Sequence, residues 1–404
     1  MSRLVVLGAG LMGPAVAAEA MASSEIAEVG LCDQSRAQLD AALASLASCP
    51  GAAKLRPACL DLADRAAAVA LLRRHDVAVD ALPTRASPLA IQASLEAGGR
   101  LVTLSARGAD TVPGLAAEAA CHEGLVVLGC GLEPGLTEIL ARRLAERLDR
   151  VDELHILCGG IPARSAPPLG HKIVFGGREL PLREAPALTV ADGCVVAEPR
   201  YSGVEPVAFP GVGELEAWHE GFAVSLLEIP ALRGLRVGTQ KTVRWPGYAW
   251  KATLLRELGL LGETPVTVDG ASVVPKRFLD ALLYPRIRLE PGEHDLALLR
   301  VEAVGTRAGQ PWRMRAEMVD RWSGGFTAMA RTTGFTASVV ARMIARGKIA
   351  ARGVQRPEAV VAGATVDHLL RDLRVHGIRV TLDEEPPRAA GETDAPPAAL
   401  GPRL

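Results

Sequence analysis

Residues 4–13 read LVVLGAGLMG, a short apolar run that leads directly into a G-x-G-x-x-G loop. Such a β-branched apolar run is typical of a strand buried inside a parallel sheet. Residues 15–21 predict a helix, and residues 29–32 predict a second strand that ends at Asp33. Asp33 follows Gly13 by 20 positions (33 − 13), which is the spacing of dinucleotide-binding βαβ units.

Each conserved feature of such a loop has a physical role that this stretch can fill. Gly8 permits the tight turn, Gly10 lets the backbone approach a pyrophosphate, and Gly13 lets the helix pack closely on the strand. The helix N-terminus offers free N–H groups and a partial positive charge to phosphates. Asp33 would accept hydrogen bonds from ribose hydroxyls, which favours NAD, whereas the nearby Arg36 leaves NADP open.

The composition narrows the class of protein. The 404 residues exceed the usual size of one domain, so we expect two. Lys and Arg (45) nearly balance Asp and Glu (46), which argues against nucleic acid or an anionic membrane as a partner. The seven cysteines form no C-x-x-C pair, which favours buried thiols in a cytoplasmic protein over metal ribbons or disulfides. No targeting or membrane-spanning segment is expected, and no metal site.

The rhythm of strand and helix continues through the first third of the chain. Further strands are predicted at residues 55–60, 77–83, 101–104 and 125–128, and further helices at 35–46, 62–74, 88–97 and 112–122. Six strands alternating with helices predict a Rossmann-type doubly wound parallel sheet, with ligands beyond the carboxyl ends of its strands. The candidate cofactor-contacting residues at those ends are Gly8, Gly10, Leu11, Met12, Gly13, Asp33, Asp61, Leu82 and Pro83.

The pattern changes after residue 135. An amphipathic helix is predicted at residues 136–148, then a strand at 151–158, a D-G hairpin within 266–274 and alternating strands at 296–304 and 312–320. This predicts an α+β second domain with a mostly antiparallel sheet, which could cover the cofactor or form a dimer interface. A last helix is predicted at 335–346, and the Pro- and Glu-rich tail from 384 is expected to be disordered.

Several motifs line up with one known family. The matching stretches are VLGAGLMG at 6–13, DALP at 80–83, EPG at 133–135, GGIP at 159–162, KTVRWPG at 241–247, AMARTTG at 328–334, ARMI at 341–344, GKI at 347–349, GV at 353–354 and PE at 357–358. On these motifs the chain resembles the saccharopine dehydrogenase-like oxidoreductases, and most closely their lysine 6-dehydrogenase branch. The resemblance implies domains at 1–130, 131–324 and 325–383, the last being a return to the dinucleotide-binding domain.

The resemblance also implies an activity. We expect NAD(P)-dependent oxidation of a C–N bond in a small amino acid or amine, by a homodimer, with oxidative deamination of the lysine 6-dehydrogenase type. Two alternatives stay open: a saccharopine-type imine reductase that joins an amino acid to a keto acid, and a catalytically silent NAD-binding regulator.

Side chains at the predicted ligand edge suggest how a substrate is held. Arg85 and Arg107 follow the fourth and fifth strands, where the family usually has other residues, and each could clamp a carboxylate. The alternative for each arginine is a surface ion pair. Arg331 and Thr332, within the AMARTTG motif, could contact a carboxylate or the cofactor. His171 in a glycine-rich loop is a further substrate-binding candidate.

The catalytic base has several candidates. Glu133 follows the sixth strand and could accept a proton or attract an ammonium, but it could also be a stabilising acid at a helix start. His171 and His219 could titrate near neutrality, although either could be purely structural. Tyr248 and Lys251 could form a pair that polarises an oxygen; the alternative is packing by the ring and solvation of the lysine.

Overall fold

The structure is a computed structural model of the chain, and it describes residues 1–106, 112, 114–115, 124–175, 177–178 and 180–386. Arg107 and most of the helix predicted at residues 112–122 lie outside the described residues.

The first sheet is the predicted parallel Rossmann sheet. It consists of β1 (Ser2–Leu7), β2 (Ile26–Asp33), β3 (Leu55–Cys59), β4 (Val77–Asp80), β5 (Arg100–Thr103), β6 (Leu125–Leu128) and β17 (Gly353–Gln355). Their order is β17-β6-β5-β4-β1-β2-β3, and every neighbouring pair is parallel. The strand order reverses at β1, so the glycine loop leaves the sheet at the switch point where such folds bind ligands.

Helices cover both faces of this sheet. They include α1 (Gly13–Ala22), α2 (Arg36–Leu46), α3 (Arg65–Arg73) and α4 (Ser87–Glu96). The Ser35 and Asp64 side chains cap α2 and α3 by accepting the N–H groups of Gln38 and Ala67, which satisfies donors that a helix start leaves free. Buried residues of α1 and α2 belong to the core on one face, and those of α3 and α4 to the core on the other.

The second sheet is mixed and has nine strands. Its members are β7 (Arg150–Pro162), β8 (Ala187–Ala191), β9 (Cys194–Glu198), β10 (Glu205–Phe209), β11 (Gly213–His219), β12 (Val237–Arg244), β15 (Asp295–Arg307), β16 (Gln310–Arg321) and β18 (Thr381–Glu385). Among its described strands, β12 and β7 alone pair in parallel, so the prediction of a mostly antiparallel sheet is confirmed. The D-G hairpin forms a separate pair, β13 (Val266–Val268) and β14 (Ala271–Val273).

The other described α-helices follow β6 in the chain. They are α5 (Leu136–Ala145), α6 (Tyr248–Glu257), α7 (Pro275–Ile287), α8 (Ala328–Ala345), α9 (Pro357–Val360) and α10 (Ala364–Val375), with short 3-10 helices at Ala52–Lys54, Val224–Glu228 and Pro230–Leu232. Helix α8 packs against α1 and on β4 and β5. A Cβ on Gly334 would lie 3.0 Å from the Val16 nitrogen, so this glycine allows the close approach of the two helices.

Two boundaries differ from the sequence expectations. Helix α8 starts at Ala328, capped by Thr327, seven residues (335 − 328) before the predicted start, so Arg331 and Thr332 lie inside a helix. Strand β18 extends to Glu385, so the first two residues of the expected disordered tail pair with β16. No helix among the described residues is long and apolar enough to cross a membrane.

Candidate functional site

The glycine loop has the geometry that a dinucleotide requires. Gly8 adopts a φ of +102°, and a Cβ there would meet the Ala81 carbonyl oxygen at 2.8 Å. A Cβ on Gly13 would lie 1.8 Å from the Gly8 carbonyl oxygen, so these two glycines shape the loop itself. Gly10 is different, because a Cβ there would meet only the Gln38 amide nitrogen, at 3.4 Å. The space over Gly10 is therefore open for a pyrophosphate.

Asp33 connects the loop to the end of β2. Its two carboxylate oxygens accept hydrogen bonds from the Ala9 and Ser35 N–H groups, each at 2.8 Å. Arg36 forms an exposed ion pair with Asp40 one helical turn away. Because that arginine is engaged on its own helix, the charge at the end of β2 is set by the Asp33 carboxylate. Asp61 is exposed and accepts the N–H of Ala63 in a turn.

A buried carboxylate fixes the start of the loop after β4. Buried Asp80 accepts hydrogen bonds from the Leu82 N–H at 2.9 Å and from the Thr103 hydroxyl at 2.7 Å, and burial raises the pKa of Asp80. Leu82 and Pro83 then reach the surface, and Arg85 is exposed. Arg85 makes no hydrogen bond or ion pair with the described part of the chain.

Glu133 follows the carboxyl end of β6, which lies near the β17 side of the first sheet. Its side chain contacts the second sheet. The Gln240 side-chain amide, on β12, donates to Glu133 at 2.8 Å and to Glu138 at 3.0 Å. Glu138, in the first turn of α5, also accepts from the Gly135 N–H and from the Thr137 hydroxyl. Glu133 has neither a backbone donor nor an ion-pair partner among the described residues, so its charge is the less well compensated of the two.

Burial and then repulsion by Glu138 raise the pKa of Glu133 to about 7, while the Gln240 hydrogen bond partly offsets them. The Cys158 thiol of β7 lies next to this carboxylate, and burial raises its pKa well above the usual range. A carboxylate that titrates near neutrality can accept and release a proton during turnover.

A second polar group lies on the same sheet face as Gln240. Arg244 is buried, and its charge acts on Cys158, His171 and Tyr248. His171 has no exposed surface, and burial followed by the Arg244 charge lowers its pKa well below the usual range. It is therefore neutral at physiological pH and is not a base that would titrate there.

The expected Tyr248–Lys251 pair does not form. Tyr248 stacks on Trp218 with ring centroids 5.2 Å apart, and burial raises the pKa of its hydroxyl. Lys251, one turn further along α6, makes no hydrogen bond or ion pair through its side chain with the described residues. His219 packs beneath Gly203, and burial followed by the Lys241 charge lowers its pKa. Among the described residues, no hydrogen bond or ion pair joins Tyr248, Lys251 or His219 to Glu133.

Arg331 and Thr332 are part of the scaffold, contrary to the expectation that they touch substrate. Arg331 is buried and pairs with Asp320 at 2.9 Å while donating to the His376 carbonyl at 2.8 Å. The Thr332 hydroxyl donates to the Ala328 carbonyl at 2.8 Å inside α8. Their hydrogen-bonding groups are therefore already engaged within the protein.

Sequence reasoning missed Gln240, Glu138, Cys158 and Arg244. The signal was present for Arg244, which lies in the KTVRWPG stretch, and Gln240 precedes it by four residues on an alternating strand. No cluster of three or more potential metal ligands occurs among the residues that the structure describes.

Comparisons with known proteins agree with this geometry. A family model for the saccharopine dehydrogenase NADP binding domain matches residues 4–124, and one for the saccharopine dehydrogenase C-terminal domain matches residues 131–378. The chain belongs to the saccharopine dehydrogenase family. It is accordingly an NAD(P)-dependent oxidoreductase, since the glycine loop fits the dinucleotide that the family model implies.

The fold is shared with a solved saccharopine dehydrogenase, and two further structures are less similar. Apo saccharopine dehydrogenase (L-Glu forming) from Saccharomyces cerevisiae matches with a TM-score of 0.76 at 18% identity, covering 95% of this chain and 100% of that one. A probable dehydrogenase from Thermotoga maritima matches at a TM-score of 0.43 and 12% identity, covering 92% and 94%. GenD2 from gentamicin A biosynthesis, in complex with NAD, matches at 0.40 and 12%, covering 95% and 96%.

Proposed function

We propose that this family member oxidises a C–N bond of a small amino acid or amine, in the manner of lysine 6-dehydrogenase, with Glu133 as the base. The observation that carries the proposal is the Glu133 carboxylate, whose pKa burial and Glu138 raise to about 7 at the end of β6. Ligands of such sheets bind at the ends of the strands. The base and the dinucleotide therefore belong to one edge of the fold.

The residues that would hold the dinucleotide are those of the loop and the ends of β2 and β4. The N–H groups at the start of α1 would bind the pyrophosphate over Gly10, and Asp33 would accept the ribose hydroxyls. When bound, the nicotinamide supplies the hydride acceptor for the substrate carbon. Leu11, which is half exposed beside the loop, and Leu82 offer apolar contacts.

Glu133 would remove the proton from the substrate ammonium, because an amine must be neutral before its carbon can be oxidised. The carboxylate form, which accepts that proton, predominates above pH 7, and the acid form can return a proton afterwards. Water then hydrolyses the imine to an aldehyde and ammonium. Gln240 keeps the Glu133 carboxylate in one orientation through the 2.8 Å hydrogen bond.

We further propose that NAD is preferred over NADP. A carboxylate at the Asp33 position repels a 2′-phosphate, and the one nearby arginine, Arg36, is paired with Asp40. Calorimetry with NADH and NADPH tests this preference. Tighter binding of NADPH would contradict it.

A homodimer is a further proposal. Helix α6 exposes Trp250 and Leu254, and the residue after its end, Leu258, continues the same spacing of four; they are 68%, 41% and 63% exposed. An apolar stripe of this kind is commonly covered by a partner. Sedimentation of the wild type and of Trp250→Glu tests it, since the variant should be monomeric if this stripe is the interface.

The experiment that tests the activity is a screen. Amino acids, diamines and polyamines are incubated with NAD⁺ and followed for NADH appearance, and pairs of keto acid and amine are incubated with NADH and followed for its loss. NADH formed from an amine alone supports the proposal. NADH loss only with a keto acid would indicate the saccharopine-type reaction, and silence with intact NAD binding would indicate a regulator.

A further inference from the structure

Two carboxylates are buried among the described residues of the first 128 positions, and their surroundings differ. Glu19 is paired with Arg342 at 2.8 Å. Asp80, the last residue of β4, is 1% exposed and has no ion-pair partner among the described residues. Burying a carboxylate without a cation is costly. The charge of Asp80 therefore lacks the compensation that Glu19 has.

Hydrogen-bond donors surround the Asp80 carboxylate but do not neutralise it. One oxygen accepts the Leu82 N–H at 2.9 Å, and the other accepts the Thr103 hydroxyl at 2.7 Å. Burial raises the pKa of Asp80, whereas these two donors and the nearby Ser87 hydroxyl lower it. No charged side chain of the described residues contributes to this pKa. Donors of this kind favour the ionised carboxylate.

Asp80 lies directly beside the glycine loop. Leu7, the last residue of β1, pairs with Cys32 of β2 on one side and with Asp80 of β4 on the other. A Cβ on Gly8 would meet the Ala81 carbonyl oxygen at 2.8 Å, so the residue after Asp80 borders the loop. The uncompensated charge is thus buried next to the point where the loop leaves the sheet.

The two halves of a dinucleotide lie on opposite sides of that point. Asp33, at the end of β2, occupies the position that hydrogen-bonds the adenosine ribose in dinucleotide-binding βαβ units. A dinucleotide crosses the sheet edge where the strand order reverses, which here is β1. Its nicotinamide half therefore belongs on the β4 side, above Asp80.

We propose that the Asp80 carboxylate selects the oxidation state of the cofactor and favours NAD⁺ over NADH. The nicotinamide ring is cationic in NAD⁺ and neutral in NADH, so a fixed negative charge beneath it stabilises only the oxidised form. In a desolvated site such a charge is weakly screened. This effect of Asp80 is independent of the substrate that the protein oxidises.

Calorimetry of Asp80→Asn with NAD⁺, NADH and ADP-ribose at pH 8 tests the proposal. ADP-ribose carries the phosphates and riboses but no nicotinamide, so it reports on the loop alone. The affinity for NAD⁺ should fall about tenfold relative to that for NADH, the order of effect expected of one unit charge at an effective dielectric constant of about 20. The affinity for ADP-ribose should change little. Glu133 is ionised at pH 8 in both proteins, so its contribution cancels.

Two control variants separate charge from shape. Asp76→Asn removes an exposed carboxylate just before β4, at the opposite edge of the sheet, where it accepts the Arg3 N–H at 2.7 Å. It should leave the NAD⁺/NADH affinity ratio unchanged. Thr103→Val removes a hydrogen bond to Asp80 but keeps the charge, so any change in affinity should be equal for NAD⁺ and NADH. Asp80→Ser, which is also neutral, gives the same test if Asp80→Asn is too unstable for calorimetry.

A fall of the NAD⁺/NADH affinity ratio in the neutral variants alone supports the proposal. An unchanged ratio overturns it, because the carboxyl is then neutral or out of reach of the ring. An equal loss of affinity for all three ligands also overturns it, since Asp80 would then act only by shaping the loop. No amine is present in these measurements, so neither result depends on the outcome of the substrate screen.

Discussion

Glu19 is fully buried and Glu133 is partly buried, and their pKa values move in opposite directions. Burial alone would raise the pKa of Glu19, but the hydrogen bond from His376 and the charge and hydrogen bonds of Arg342 outweigh burial and lower it. Burial also raises the pKa of Glu133, and there the neighbouring Glu138 adds to the effect, so that it reaches about 7. The difference lies in the partners, since Glu19 is the more deeply buried of the two and yet has the lowered pKa.

The hydrogen-bond partners of the two glutamates indicate the different roles of their surroundings. Arg342 on α8 bonds Glu19 on α1 at 2.8 Å, and both Glu25 and Asp372 at 2.6 Å, so it ties the return helix to the dinucleotide-binding helix. Among the described residues, Glu133 receives only neutral hydrogen bonds, from the Gln240 amide and the Cys158 thiol. A completed network stabilises the fold, whereas an incomplete one leaves a carboxylate able to exchange protons.

The largest effect is expected from Glu133→Gln. The amide keeps the size of the side chain but cannot accept a proton, so kcat/KM should fall about 10²- to 10⁴-fold. In the wild type, log kcat/KM should rise with pH and level off above about 7, where Glu133 is ionised; that rise should vanish in the variant. NADH affinity is the control and should stay unchanged. An unaltered pH profile would assign the base elsewhere.

Arg342→Met should be the most destabilising single change in the scaffold. It leaves the carboxylate of Glu19 buried without its cation, and breaking a buried pair in this way costs about 3–5 kcal/mol of unfolding free energy. Urea unfolding measures it. The matched control is Arg36→Met, which breaks the exposed pair with Asp40 and should leave the unfolding free energy almost unchanged, because solvent screens that pair. Equal losses in the two variants would contradict the argument.

Gly10→Val and Gly13→Ala compare two glycines of one loop, of which Gly13 is surrounded by backbone atoms and Gly10 faces open space. A Cβ at Gly13 meets backbone at 1.8 Å, so that variant should lose stability as well as cofactor binding. A side chain at Gly10 meets only the end of Gln38, so Gly10→Val should retain its melting temperature and still lose NADH affinity, by about 100-fold or more. Unimpaired NADH binding by Gly10→Val would place the cofactor elsewhere.

The parallel sheet, its glycine loop and the alternating second sheet could be predicted from the sequence. Each depends on the spacing of apolar residues and glycines that are close together in the chain. The sequence could not show which of Arg331 and Arg244 has a carboxylate partner, because the partners of a buried arginine are distant in the chain. Arg331 finds Asp320 and is structural, whereas Arg244 finds no carboxylate among the described residues. Glu133 was proposed from its place after a strand, but its raised pKa depends on Glu138, Gln240 and burial, which only the fold brings together.

The two glutamates should also give opposite pH dependences of stability. Glu133 has a folded pKa above its unfolded value, so the native state holds more protons between about pH 4.5 and 7 and loses stability as pH rises through that window. Glu133→Gln should therefore be more stable than wild type above pH 7, by on the order of 1–3 kcal/mol, and no more stable near pH 4. The Glu19 contribution is present above about pH 4.5 and is lost as pH falls through its lowered folded pKa. Urea unfolding at pH 4, 6 and 8 measures both, and a Glu133→Gln advantage that shrinks as pH rises would contradict the assignment.

The smallest effect is expected from Arg85→Ala, which sharpens the contrast between a solvated and a buried arginine. Arg85 is exposed at the end of β4 and remains the candidate carboxylate clamp suggested by the sequence, together with Arg107, which lies outside the described residues. Solvent screens its charge, so its loss should lower kcat/KM by no more than about tenfold. A larger loss would show that Arg85 itself holds the substrate carboxylate at the rim beside β4; a parallel fall in NADH affinity would instead move Arg85 to the cofactor phosphates.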